Sequence, residues 1–129
     1  MKGLMVILTA IIIIGAATAD LVYLDKTFGK MQAEAETMLV MIEKDTEHID
    51  SAENLAKALE IEELFHKNSR KFQALVHQIL INDLAFKVVA LTAHVKTNDH
   101  KMAVTDAMQV IENCRLLKDF SRPHLTNVL

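Results

Sequence analysis

Six histidines offer this chain its widest range of chemistry: His48, His66, His77, His94, His100 and His124. A neutral imidazole can ligate zinc or move a proton near neutral pH. Either task needs partner groups at set spacings. A helix brings residues i and i+3 or i+4 onto one face, yet no His-x-x-His or His-x-x-x-His pair occurs. Glu-x-x-His occurs once, as Glu63 with His66. A di-metal carboxylate bundle uses two such pairs and further Glu residues from other helices, so this copy reads as a surface pair at a helix end. His77 and His94 stand about 25 Å apart if one helix carries both. A zinc site would have to draw three or four ligands from separate helices. His77, within an otherwise apolar stretch, reads as a core or interface residue that needs a hydrogen-bond partner if buried.

The remaining reactive residue types lack the neighbours that would activate them. Glu60, Glu62 and Glu63 read as a solvated face and not as a paired acid and base. Cys114 is the single cysteine and cannot form an internal bridge. A buried, inert thiol is its default role. Ser51, Ser69 and Ser121 fall at cap or helix positions, without the strand-turn-helix elbow of a nucleophilic serine. With three glycines in the chain and no glycine-rich loop, phosphate cradling is unsupported. The sequence therefore assigns no catalytic, cofactor-binding or metal-binding residue, and it argues against an enzyme.

The elements that hold these residues are helical by composition. The chain has 129 residues, one proline and no tryptophan, enough for one domain. Ala, Leu, Met, Glu and Lys dominate its later part, which favours helix. The formal net charge of -3 carries no nucleic-acid signature.

Leu4 to Ala19 contains no charge. Counted from Gly3 to Leu24, with the one interruption at Asp20, a helix would reach roughly 33 Å, enough to span a bilayer core. Asp20 would lie near an interface and Tyr23 in the headgroup belt. Lys2 places positive charge on the short leading side, which predicts a cytoplasmic N-terminus and an extracytoplasmic remainder. Two other readings stay open. Ala17-Thr18-Ala19 before Asp20 matches a signal-peptidase pattern, which would make the protein secreted. A buried core helix is the third, although Ile11 to Ile14 leaves no polar face. The anchor is favoured because Leu21, Leu24, Phe28, Met31, Ala35, Met38 and Ile42 carry helical order straight on from the apolar run.

These features predict an all-α chain: a transmembrane helix continuing into a small three- to four-helix extracytoplasmic bundle. The anchor would occupy residues 1–24 and the bundle 25–129. The first helix runs to about Lys44, with Gly29 as a candidate bend. Met31, Met38 and Met41 give it an adaptable face, expected as core or binding groove. A turn follows over Asp45 to Asp50, with Asp50 and Glu53 as a capping box. The second helix, about Ser51 to Leu64, turns Ala52, Leu55, Ala56 and Leu59 inward. A short break near His66–Asn68 would separate it from a long third helix, about Ser69 to Val95; the alternative is a helix that runs straight on. Phe65, Phe72, Ile79, Phe86 and Ala93 fall seven apart along it, and Leu80, Leu84, Val88, Leu91 and Val95 form a second stripe. Asp83 and Lys87 are spaced as an i,i+4 pair. Thr97-Asn98-Asp99 turns the chain into the fourth helix, about Lys101 to Asp119. Its packing face is Val104, Ala107, Met108, Ile111, Cys114 and Leu117. The tail to Leu129 keeps three apolar residues and is expected to fold back onto the bundle.

Charge is unevenly spread. Residues 31–65 hold ten acids against two bases, and residues 66–129 hold five acids against nine bases. Pairing of the acidic early helices with the basic later ones is one explanation; a dipolar surface that orients the domain or selects a partner is the other. Lys67, Arg70 and Lys71 are the densest basic cluster. Three bases fall short of the usual count for anionic lipid.

Taken together, the pattern resembles a membrane-anchored bacterial family known as domain of unknown function 4363, found mostly in Firmicutes. Phe65, Phe72 and His77 match its aromatic pair and following histidine, and Leu125-Thr126-Asn127-Val128-Leu129 is similar to its terminal motif. The Lys96–Asp99 turn and the spacing of Ala103 and Ala107 also fit. The chain departs from the pattern in having Phe at both aromatic positions, where Trp is usual. It also lacks the acidic residues expected after His77. The resemblance implies architecture and address, and no activity.

The functional expectation is a tethered structural or protein–protein interaction module. It would pack on a membrane protein or on itself and meet lipid through residues 3–24. Phe28, Met31, Met38, Phe65, Phe72, His77 and Asn127 are the candidate interaction or packing residues. The alternative is an extracytoplasmic accessory that binds or senses a small ligand or peptide, which requires a concave apolar pocket between helices.

Overall fold

The computed structural model describes residues 2–76 and 78–121. Among the described residues there are four helices and no strand: α1 (Lys2–Lys44), α2 (Ala52–Leu75), α3 (Gln78–Lys96) and α4 (His100–Ser121). His77 and the tail from Arg122 to Leu129, with His124 and Asn127, lie outside the described residues.

The chain is all-α, as its composition predicts. α1 is one uninterrupted helix of 43 residues, about 65 Å long at the usual rise. Gly29 does not break it. Its two halves differ in environment. Leu4 to Ile14 project apolar side chains that no other described residues cover, while Leu24, Phe28, Met31, Ala35, Met38 and Ile42 are buried. That buried series is the predicted 3-4 stripe. It packs α1 between α2 and α4, with α3 completing the ring on the opposite side. The result is an up-down-up-down bundle.

The region after Phe65 differs from the expectation of one long helix. α2 runs eleven residues past Leu64 and ends at Leu75. Val76 takes an extended backbone, with φ -129° and ψ 155°. A straight helix would set Phe72 and Ile81 on opposite faces, because nine steps of about 100° bring a residue half-way round. Reversing the chain at Val76 turns both inward. Phe65 and Phe72 are buried on α2, and Ile81, Leu84, Val88, Leu91 and Val95 are buried on α3. The second stripe is thus the inner one. The seven-residue repeat splits, and Ile79 and Phe86 are 71% and 67% exposed.

The inner face of α2 is also rotated from the expected one. Asn54, Ala58, Ile61, Phe65 and Phe72 are buried, whereas Ala52, Ala56 and Leu59 are exposed and Leu55 is half-buried. The larger side chains Ile61, Phe65 and Phe72 bury more apolar area and so set the rotation. On α4 the buried set is Ala103, Asp106, Ala107, Val110, Cys114 and Leu117; Met108, expected inside, is 56% exposed.

Caps close the end of the bundle where α1 meets α2 and α3 meets α4. Ser51, not Asp50, caps α2: its Oγ accepts from the Asn54 amide at 3.2 Å. Asn98 sits at φ 57°. Its amide donates to the Val95 carbonyl, and the Asp99 amide donates to the His94 carbonyl. That double bond pattern is a Schellman ending, with Asn in the left-handed position usually held by Gly. The Asp99 carboxylate then accepts from the Met102 amide at 3.2 Å and starts α4.

Candidate interaction surface

The candidate interaction residues within the described chain fall in the core. Phe28, Met31, Met38 and Phe72 are fully buried, and Phe65 nearly so. The Phe28 and Phe72 rings stack with centroids 4.7 Å apart and an interplanar angle of 24°, and Phe65 leans on Phe72 at 5.7 Å. These residues bind helix to helix and present nothing to a partner. His77 and Asn127 lie outside the described residues.

The exposed apolar surface of the bundle is elsewhere. On α3, Ile79, Phe86 and Val89 project outward, and Leu75 is 40% exposed at the end of α2. Ile79, Phe86 and Ala93 recur every seven residues, so they lie along one face of α3. This face was legible in the sequence as a periodicity, but that periodicity did not reveal that the face points outward.

His66, His94 and His100 each meet a single carboxylate. His94 Nδ1 is hydrogen-bonded to the Asp106 carboxylate across α3 and α4, and Asp106 is only 3% exposed. Asp106 belongs to no motif in the sequence. Its signal was an acid at a core position of α4, between Ala103 and Ala107. His66 sits 3.6 Å from Glu62, one residue from the Glu63 partner suggested by spacing. Glu62 also accepts from the Thr92 hydroxyl at 2.8 Å, tying α2 to α3. His100 lies 3.5 Å from Glu43. No group of three or more metal-ligating side chains converges among the described residues. Cys114 lies about 12 Å along α4 from Asp106. Burial pushes its thiol up to about 12, which keeps it protonated and non-nucleophilic near neutral pH.

The Lys57 and Arg115 ion pairs each stay within one half of the charge split. Lys57 Nζ lies 2.7 Å from Glu34 and 3.1 Å from Glu60, so the one base of the early α2 neutralises acids of its own half. Asp83, expected to pair with Lys87, accepts instead from Asn113 at 2.7 Å and joins α3 to α4. Lys30, Glu60, Glu63, Leu64 and Lys67 line a surface depression of about 160 Å³. That is below the roughly 300–1,000 Å³ of small-molecule pockets. Lys67, Arg70 and Lys71 are exposed on the last turns of α2, and Lys26 and Lys30 are exposed on α1. Lys71 Nζ stands 4.3 Å above the Tyr23 ring, and the Tyr23 hydroxyl donates to Asn68 Oδ1. Tyr23 therefore joins α1 to the basic end of α2.

No family model, curated protein or solved structure matches this chain. Two helices among the described residues, α1 and α3, are long and apolar enough to cross a membrane. They differ in cover: the most apolar window of α1 is 0% buried, while that of α3 is 28% buried.

Proposed function

We propose that this chain is a membrane-tethered helical module with a structural or protein–protein interaction role. The first half of α1 crosses the bilayer, and the bundle stands on the extracytoplasmic side. The observation that carries this reading is the continuity of α1. An uncovered apolar rod, Ile11 to Ile14 being 59% to 70% exposed, runs without a break into a fully packed stripe. Such a rod is costly in water and at home in hydrocarbon. A cleaved signal would discard a segment that shares one helix with the bundle core. The resemblance to the anchored bacterial family supports the same address. The partner, a membrane protein or a second copy, is met through the outward face of α3, where Ile79 and Phe86 are available and Phe28 and Met31 are not.

Fractionation of cells tests the tether. The intact chain should stay with membranes through an alkaline carbonate wash, with its original N-terminus. A mature chain that begins at Asp20 and is found in the medium overturns it. Photocrosslinkers at residues 79 and 86 test the interaction role. They should give one discrete adduct with a membrane protein or with a second copy, and a control at the buried position 31 should give none. Adducts no more frequent from α3 than from exposed Thr105 of α4 would remove the role assigned to this face.

A further inference from the structure

The notable basic cluster of the sequence, Lys67, Arg70 and Lys71, gains two neighbours and a location in the folded chain. α1 and α2 run antiparallel, and two contacts set their register: Phe28 on Phe72 and Tyr23 under Lys71. Moving on from Lys71 to Val76, and back by the same number of residues from Tyr23, reaches Thr18. Moving from Phe72 to Val76, and back by the same number of residues from Phe28, reaches Leu24. The end of α2 is thus level with the stretch of α1 in which the uncharged run gives way to Asp20. Lys26 projects from α1 within about two turns of Asp20, and Lys30 within about three. Leu75 and Ile79, 40% and 71% exposed, sit at the reversal itself.

We infer that this end of the bundle is a lipid-docking surface, in which Lys26, Lys67, Arg70 and Lys71 hold anionic headgroups while Leu75 and Ile79 enter the interface. The inference rests on the proposed tether, because it is α1 that brings this end to the bilayer. Three arguments select lipid as the occupant. The surface is continuous with the apolar rod, which fixes its height at the bilayer boundary. Its bases are exposed, and the five of them outnumber the acids at this end: Asp20 and Asp25 on α1, Glu63, which shares a depression with Lys30 and Lys67, and Asp119 on α4, which pairs with Arg115. The pairing of exposed apolar side chains at the tip with bases one or two turns behind also matches the depth profile of an interface, apolar below and anionic above. Four bases with Lys30 make five, within the range that recognises anionic lipid where three are not. The uneven charge of the sequence then has an axial meaning. The opposite end carries Glu43, Asp45, Glu47, Asp50, Glu53 and Asp99 against Lys44, Lys96 and Lys101, and is net acidic.

The test uses the full chain reconstituted in two kinds of vesicle: phosphatidylcholine alone, and phosphatidylcholine mixed with phosphatidylglycerol. A spin label is placed at I79C; Cys114 is buried and stays unlabelled in the folded protein. In the mixed vesicles the label should be open to oxygen dissolved in lipid and shielded from an aqueous nickel complex. In phosphatidylcholine it should be more exposed to the nickel complex. Each base beside an anionic surface changes the docked-to-undocked ratio by about fivefold. The exposed triple variant K26E/K67E/R70E should therefore lower that ratio by roughly two orders of magnitude in the mixed vesicles, with its helix content unchanged. Added salt should act in the same direction. A chain that floats with both vesicles, but whose label is equally exposed in both lipids and in the variant, overturns the inference and leaves the tether standing. A chain that floats with neither overturns both.

Discussion

The Phe28 ring of α1 lies stacked on the Phe72 ring of α2, both fully buried, near the end of the bundle where the apolar rod begins. Phe65 leans on the same ring. This cluster fixes the packed half of α1 against α2, and the uncovered apolar half continues from it in the same helix.

Phe72→Ala should lower stability by about 3–5 kcal/mol, the usual cost of deleting a buried phenyl ring. Phe28→Ala should cost a similar amount. The double variant should cost less than the sum by about 0.5–1.5 kcal/mol, since the stack is lost only once. Chemical denaturation of the detergent-solubilised chain, followed by circular dichroism, measures all three.

Asn98 ties together the two loops at the other end. Its Oδ1 accepts from the Ile49 amide at 2.8 Å, and its Nδ2 donates to the Glu47 carbonyl at 2.8 Å. Asn98→Gly keeps the left-handed backbone but loses both bonds, and should cost about 1–2 kcal/mol. Asn98→Ala adds left-handed strain and should cost about 1 kcal/mol more. If the order of the two variants is reversed in thermal melts, the backbone argument is wrong.

The Lys57 ammonium bonded to Glu34 holds that carboxyl below its ordinary value of 4.5. A lowered folded-state value means a contribution that is present above about pH 4.5 and lost as pH falls through the lowered value. The bonds to Glu34 and Glu60 raise Lys57 above 10.5. That contribution is present below pH 10.5 and lost as pH rises through the raised value. Both side chains are about a fifth exposed, so the pair is worth less than about 1 kcal/mol near neutrality. Glu34→Gln should flatten the acid limb of the stability–pH curve, as read by melting temperature from pH 3 to 7, a range chosen about the ordinary value of 4.5.

Cys114 is buried, with its thiol raised to about 12 by that burial. In the native protein it should resist maleimide for hours and react only through global opening. The alkylation rate should then rise with denaturant in step with unfolding, and a rapid native-state reaction would contradict the packing of α4 against α1 and α3.

Gly29 lies within an ordinary helix, and a Cβ there would meet only the Lys118 side chain, at 3.8 Å and 3.9 Å. Gly29→Ala should therefore stabilise the bundle by about 0.5–1 kcal/mol through the lost flexibility of glycine. A destabilisation in urea titration would indicate that the backbone needs its freedom there.

Local periodicity was enough to read several features from the sequence. Leu24 to Ile42 repeat at 3-4 spacing, and a pattern that strict has one helical solution, which α1 adopts. Thr97-Asn98-Asp99 announces a turn and a cap because Asn tolerates the left-handed backbone and Asp accepts from helical amides. The length and uniformity of Leu4 to Ala19 mark a rod that water does not suit.

Tertiary packing decided the rest. Phe65, Phe72, Ile79, Phe86 and Ala93 form one repeat in the sequence, yet the chain reverses after Phe72 and sends the first two inward and the others outward. Nothing within the repeat selects that outcome. It follows from competition, because Ile81, Leu84, Val88, Leu91 and Val95 bury more apolar surface when α3 folds back, and a straight helix could not bury both sets. The same holds for Lys26 and Lys71, far apart in sequence and brought to one end of the bundle by the antiparallel pairing of α1 with α2. Periodicity is a property of neighbours along the chain, so it is legible one segment at a time. Which face wins, and which charges share an end, depend on what each segment finds to pack against.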